Sequence, residues 1–159
     1  MKINKLMLAM IITILIVVTV IFMDFLKSTK IDFSVENIQS VNIFYGSSGS
    51  SFEHNITVSN EDVKLDSTLY QGANQSKDTF DIGTKELNKL LDIFKKCNIN
   101  KWDKLDNVTS EGSIVFSIDI NTNSKKDFKM TVELNAMEED LKVFYEDILN
   151  YFGKYELKY

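Results

Sequence analysis

Residues 114–134, IVFSIDINTNSKKDFKMTVEL, decide the fold class of this chain. Apolar residues alternate with mostly polar ones on both sides of a polar turn: Ile114, Phe116, Ile118 and Ile120, then Phe128, Met130, Val132 and Leu134. A period of two on each side of a turn predicts an antiparallel β-hairpin with one apolar face. That face needs a partner layer to cover it.

Amphipathic helices are predicted on both sides of this hairpin. The first helix carries an apolar stripe with helical spacing, formed by Leu87, Leu90, Leu91, Phe94 and Cys97. The second, about Glu138–Phe152, carries a similar stripe and is followed by Gly153, a residue type that often ends helices. We therefore expect both helices to pack on one face of the sheet.

The first half of the chain is predicted to supply three more strands, Ile38–Tyr45, Phe52–Val58 and Val63–Tyr70. Their short connections favour an antiparallel meander, with the Gly/Ser loop Gly46–Ser51 closing the first hairpin. Gln71–Gly83 lacks alternation and is interpreted as a polar loop. The predicted class is α+β, with an N-terminal transmembrane helix followed by βββ-α-ββ-α.

This layout includes residues 85–102, KELNKLLDIFKKCNINKW, followed by the hairpin and the terminal helix. It resembles small uncharacterised secreted or membrane-tethered α+β domains of low-GC Gram-positive bacteria. The resemblance covers about residues 38–152, and it rests on the pattern and on Trp102 after the helix. It implies a fold and carries no functional residues across. The absence of Arg and Pro and the abundance of Asn, Lys and Ile are typical of AT-rich genomes.

Leu6–Met23, LMLAMIITILIVVTVIFM, contains no charge, no Gly and no Pro. As a helix it would be about 27 Å long, close to the ~30 Å hydrocarbon core of a bilayer. We therefore predict a single membrane-spanning helix. The residues predicted to contact lipid along its length are Leu6, Ile12, Ile16, Val20 and Met23. An uncleaved signal-anchor is favoured because the apolar run exceeds a usual signal-peptide core and lacks a small-x-small cleavage site. Cleavage and secretion remain the alternative.

The predicted anchor organises the rest of the chain. Residues 1–28 form the anchor and its flanks, 29–37 a juxtamembrane connector, 38–153 the domain and 154–159 a polar tail. A short N-terminus before a long polar domain favours an N-inside orientation. We therefore expect a cell-membrane protein with an extracytoplasmic C-terminal domain.

Charge narrows the classes of partner. The part beyond Met23 carries all 23 acidic residues and 16 of the 18 lysines. This acidic balance argues against nucleic acid and anionic headgroups as partners, since both require positive patches. The expected partners are the bilayer, through the N-terminal helix, and an envelope protein or cell-wall component.

Few residues are candidates for catalysis or metal binding. His54 is the only histidine, and its pattern places it on an inward strand face. Cys97 is the only cysteine and lies at a helix C-terminus, which disfavours a thiolate. Asp103, Asp106 and Glu111 flank one loop, but Ca²⁺ requires six or more oxygen ligands. We predict no catalytic residue, metal or cofactor; an envelope enzyme using acidic residues remains the alternative.

Aromatic residues suggest a contact surface. Trp102 with Tyr45, Tyr70 and Phe80 could form an aromatic binding platform, although a Trp that caps a small core is favoured over this platform. The candidate contact surface of a binding domain is the Gln71–Gly83 loop together with the Gly/Ser loop. The expected function is therefore non-catalytic binding or interaction by an extracytoplasmic domain on a single-pass anchor.

Overall fold

The computed structural model describes residues 10–21, 30–59, 62–109, 112–124 and 126–155. The chain divides into two compact units, Met1–Ile31 and Asp32–Tyr159. In the first unit, residues 10–21 are helical (α1). None of the helices within the described residues has the length and apolar character that crossing a bilayer requires.

Three of the residues predicted to lie in lipid belong to α1. Ile12, Ile16 and Val20 are 49%, 59% and 53% exposed. Leu6 and Met23, the two ends of the predicted span, lie outside the described residues. The described part of α1 thus presents its apolar side chains outward.

The second unit is an α+β domain built on one six-stranded sheet. Its elements are β1 (Ile38–Gly46), β2 (Ser50–Ser59), β3 (Asp62–Gln71), β4 (Asn74–Asp81), α2 (Gly83–Cys97), a 3₁₀ helix (Ile99–Trp102), β5 (Val115–Thr122), β6 (Phe128–Glu133), a second 3₁₀ helix (Leu134–Ala136) and α3 (Glu139–Phe152). The strand order is β4-β3-β2-β1-β5-β6, and all neighbouring strands are antiparallel. The predicted α+β class and antiparallel sheet are confirmed.

The predicted element order is wrong at one place. The segment interpreted as a polar loop contains β4, which pairs with β3 from Lys64↔Asp81 to Gln71↔Asn74. The order is therefore ββββ-α-ββ-α. Because β4 is an edge strand whose residues are exposed except for partly buried Phe80, no buried face imposes an apolar alternation on it. Gly72, with φ +58°, occupies the first position of the two-residue turn, where type II′ hairpins need glycine.

One face of the sheet forms the core with α2 and α3. Alternate strand residues supply it, so that Ile43 of β1 pairs with His54 of β2 and with Ile118 of β5, and all three are fully buried. α3 covers this face, and its Phe144 lies 6.0 Å from Phe116 between ring centroids. α2 packs beside α3, where Phe94 lies 6.1 Å from Phe144.

Phe33, within the predicted connector, also belongs to this core. It is 3% exposed, and its ring centroid lies 5.7 Å from that of Phe94 and 6.4 Å from that of Phe128. Asn37 extends the same attachment, since its carbonyl accepts a hydrogen bond from Asn123 N at 2.7 Å. The domain therefore begins several residues before β1.

The outer edge of β6 is covered by the loop that follows Trp102. Lys104 N donates to Lys129 O at 2.7 Å, and Thr131 N donates to Leu105 O at 2.8 Å. The buried Glu133 carboxylate accepts a hydrogen bond from Thr109 N at 2.6 Å. These bonds hold the loop against the outer edge of β6, where Asp106 and Thr131 form an isolated parallel bridge.

Candidate functional site

A cavity of about 470 Å³ opens on the face of the sheet opposite the α2–α3 layer. We call this side of the sheet the polar face, and we define it by Asn42, Glu53, Asp66, Thr68 and Tyr70. Residues from four strands and the Gly/Ser turn line the cavity, among them Phe44, Ser47, Ser48, Glu53, Tyr70 and Val115. It is the candidate functional site of the domain.

Strand register brings these residues together. Phe44 of β1 pairs with Glu53 of β2, and Ser51 of β2 pairs with Tyr70 of β3. On the other side of β1, Gly46 pairs with Val115 of β5. Successive residues of a strand point to opposite sides of the sheet. Because the neighbours of these cavity residues point into the core, the cavity residues point to the polar face.

The Glu53 carboxylate is held by two donors from the flanking strands. Asn42 Nδ2 donates to its Oε1 at 2.7 Å, and Tyr70 OH donates to its Oε2 at 2.8 Å. The hydrogen bond to Glu53, with a contribution from burial, raises the pKa of Tyr70 above its ordinary value. The phenol is thus protonated at neutral pH and serves as a donor. We call these three residues the Glu53 network.

The rim of the cavity is shaped by the Gly/Ser turn. Ser47 N donates to Ser50 O at 3.0 Å, which closes the turn between β1 and β2. Gly46 has φ +134°, and a Cβ at this position would lie 2.5 Å from Ser50 O. Only glycine fits there. Gly72 N also donates to Gly49 O at 3.1 Å, so the turns of both hairpins are tied together.

Of the predicted platform residues, Tyr70 alone lines this cavity. Trp102 is 8% exposed, and its ring lies 5.4 Å from Phe144 between centroids. It borders a separate cavity of about 460 Å³ beside Lys101, whose Nζ lies 4.4 Å from the centre of its ring. The tryptophan therefore caps the core and also forms one wall of a second depression.

Phe80 lies in a third place. It pairs with Leu65 of β3, whose side chain is buried in the core, so Phe80 faces the side opposite to Tyr70. Its ring centroid lies 5.2 Å from that of Tyr155. The structure thus does not bring Trp102, Tyr70 and Phe80 together into one platform.

His54 is a core residue, as its position on the inward face predicts. It is fully buried, Tyr45 OH lies 3.0 Å from its Nε2, and burial lowers its pKa to about 4. Its Nδ1 has no hydrogen-bond partner among the described residues, and neither has the Oγ of Ser67, its direct cross-strand neighbour. The imidazole is therefore neutral and shielded from solvent in the native state.

The other candidates show no reactive geometry. Cys97 is half-buried, and burial raises the pKa of its thiol. Asp103 Oδ1 accepts a hydrogen bond from Lys129 N at 3.3 Å, while Glu111 lies outside the described residues. Among the residues that the structure describes, no three His, Cys, Asp or Glu side chains are grouped to hold a metal ion.

Sequence reasoning missed Glu53 and Asn42. Alternation places both on outward-facing positions of central strands, where most polar residues are simply solvated. What distinguishes them is a tertiary relationship, in which residues from β1, β2 and β3 converge on one carboxylate.

Comparisons with protein-family models, curated proteins and solved structures find no significant match to this chain.

Proposed function

We propose that this chain is a single-pass membrane-anchored protein whose extracytoplasmic domain binds an envelope component through the cavity around Glu53. The observation that carries the binding role is the Glu53 network inside a cavity of about 470 Å³. This volume falls within the ~300–1,000 Å³ typical of small-ligand sites. The membrane anchor is supported by the uncharged run Leu6–Met23 in the sequence.

The arrangement favours binding over hydrolysis. Glycosidases generally need a second carboxyl group about 5–9.5 Å from the first. Glu53 is the one carboxylate among the described residues that line the cavity. Its hydrogen bonds to Asn42 and Tyr70 fix its position, as a recognition group requires.

The expected partner is an envelope protein or a cell-wall component, together with the bilayer around the N-terminal helix. The acidic balance of the chain, with a formal net charge of −5, argues against nucleic acid. Polar hydroxyls at the rim and apolar walls suit a ligand with both hydrogen-bonding and apolar parts.

A site-specific crosslinker tests the binding site. A photoreactive amino acid would replace Ser48 at the cavity rim, in the full chain expressed in intact cells. The matched control places it at exposed Lys85 on α2. Crosslinking to a discrete envelope component from position 48 but not from position 85 supports the proposal. Equal or absent crosslinking at both positions refutes the cavity as the binding site.

Protease treatment tests the topology separately. Cells without their wall would be treated with an external protease, and a C-terminal tag would be followed in the membrane fraction. Loss of the tag supports an extracytoplasmic domain. Full protection, under conditions that cleave a known surface protein, overturns this part of the proposal.

A further inference from the structure

We infer that the group recognised in the Glu53 cavity is a protonated amine, an inference that rests on the proposed binding function of this cavity. The first argument is charge. Glu53 is acidic, and none of the described residues lining the cavity is basic. Lys77, which shares the polar face, pairs instead with Asp66 at 2.7 Å. The cavity therefore offers a carboxylate without a cationic partner from its own wall.

The second argument is hydrogen-bonding capacity. Each oxygen of the Glu53 carboxylate accepts one bond, from Asn42 and from Tyr70 respectively. An ionised carboxylate has about four acceptor sites, so capacity for donors from a ligand remains. An ammonium group has three N–H donors and no acceptor, and it makes the stronger, charge-assisted type of hydrogen bond. The hydroxyl oxygens of Ser47 and Ser48 at the rim can accept hydrogen bonds from the remaining N–H groups of the ammonium.

The third argument is the nature of the walls. Phe44 and Tyr70 bring aromatic rings to the lining of the cavity, and Val115 adds an aliphatic surface. The faces of aromatic rings attract ammonium groups, but they do not attract an anionic phosphate or carboxylate in the same way. An anion would in addition be repelled by Glu53. The walls and the carboxylate thus select the same class of ligand.

The volume of about 470 Å³ exceeds what an ammonium group alone would fill. The amine can therefore belong to a larger unit, either a lysyl side chain of a peptide or an amino sugar. Both sources present the same primary ammonium to Glu53. Matched pairs of probes that differ only in acetylation of this nitrogen distinguish the amine from the rest of the unit.

The test uses the ¹⁵N-labelled full chain in zwitterionic micelles, followed by amide NMR shifts. One pair of probes is Nα-acetyl-lysine amide and its Nε-acetylated form; the other is glucosamine and N-acetylglucosamine. We expect at least one amine to shift the cavity amides saturably, and its acetylated partner to bind at least about tenfold more weakly. The pair that responds identifies the source.

Variants locate the effect. Glu53→Gln should weaken amine binding at least about tenfold, while Asp66→Asn, on the same face but outside the cavity lining, should not. Tyr70→Phe, which keeps the charge, should retain the preference for the amine. Circular dichroism checks that each variant is folded, and the acetylation comparison needs no variant.

Equal binding of an amine and its acetylated partner, or no effect of Glu53→Gln, overturns the inference and leaves the cavity as a binding site for another ligand. Absence of any saturable shift also overturns it. The crosslinking result at position 48 then decides the proposed function independently.

Discussion

His54 of β2 stacks on Phe152 at the end of α3, with ring centroids 4.2 Å apart and ring planes 10° from parallel. The stack joins the middle of the sheet to the last turn of the terminal helix. It also encloses a titratable group, because both side chains are fully buried. The stability of the domain is therefore coupled to pH through one imidazole.

We predict that the domain loses stability as pH falls from 6.5 towards 4. Burial lowers the pKa of His54 from 6.5 to about 4, so the unfolded chain binds the proton first. The contribution is fully present above pH 6.5, declines by about 3 kcal/mol as pH falls to 4, and then levels off. Urea unfolding, followed through the fluorescence of Trp102, measures it at several pH values.

His54→Gln is the control for this titration, since it removes the ionisable group and keeps a polar side chain. The variant should be less stable than the natural chain at pH 7.5, and the difference should shrink as pH falls to 4. A constant difference across this range would show that His54 does not titrate on unfolding.

The Gly/Ser turn gives a second prediction. Gly46→Ala should lower the free energy of unfolding by at least about 2 kcal/mol, because the left-handed backbone and the approach of Ser50 O both exclude a Cβ. Gly49→Ala is the matched control in the same turn, where the added Cβ meets only Ser47 Oγ at 3.9 Å. It should change stability by less than about 0.5 kcal/mol. Similar losses for both would contradict a special role for position 46.

A third prediction concerns the start of the domain. Phe33→Ala should destabilise it by about 3–5 kcal/mol, because the ring is buried between Phe94 and Phe128. Val143→Ala, at a residue 50% exposed on α3, should cost less than about 0.5 kcal/mol. Urea unfolding curves of the two variants are compared with that of the natural chain. A loss below about 1 kcal/mol for Phe33→Ala would place residue 33 outside the core.

The fourth prediction tests the Glu53 network without any ligand. Glu53→Gln should bring the pKa of the Tyr70 phenol down towards its ordinary value, because the hydrogen bond to the carboxylate is the main cause of its elevation. NMR titration of the ring-carbon signals resolves the individual tyrosines. Asp66→Asn should leave the Tyr70 titration unchanged. An unaltered Tyr70 pKa in Glu53→Gln would mean that the hydrogen bond is not maintained in solution.

Most of the fold is visible in the sequence because burial imposes a period on it. The inward residues Val41, Ile43 and Tyr45 mark β1, and the stripe from Leu87 to Phe94 marks α2. β4 was missed because both of its faces are largely exposed, so that no period distinguishes a paired edge strand from a loop. Phe33 was missed because a single apolar residue carries no period at all.

The candidate site was less predictable than the fold. Tyr70 is among the predicted contact residues, but its hydrogen bond to Glu53 depends on the β2–β3 register, which pairs Tyr70 with Ser51 and Glu53 with Thr68. The structure places Trp102 and Phe80 apart from Tyr70, a separation that could not be predicted because sequence alone does not show which residues of separate elements meet. Hydrogen bonds between outward-facing side chains leave no periodic trace.

The covering of β6 by residues 104–107 has a consequence for self-association. Because the loop forms hydrogen bonds with the outer edge of β6, β4 is the remaining unpaired strand edge among the described residues of the sheet. An unpaired edge can template the addition of a strand from another molecule. Lys77, Asp78 and Asp81 place charges along this edge, where they oppose such growth. The polar character of β4, which conceals it as a strand in the sequence, therefore disfavours pairing between the sheets of neighbouring molecules.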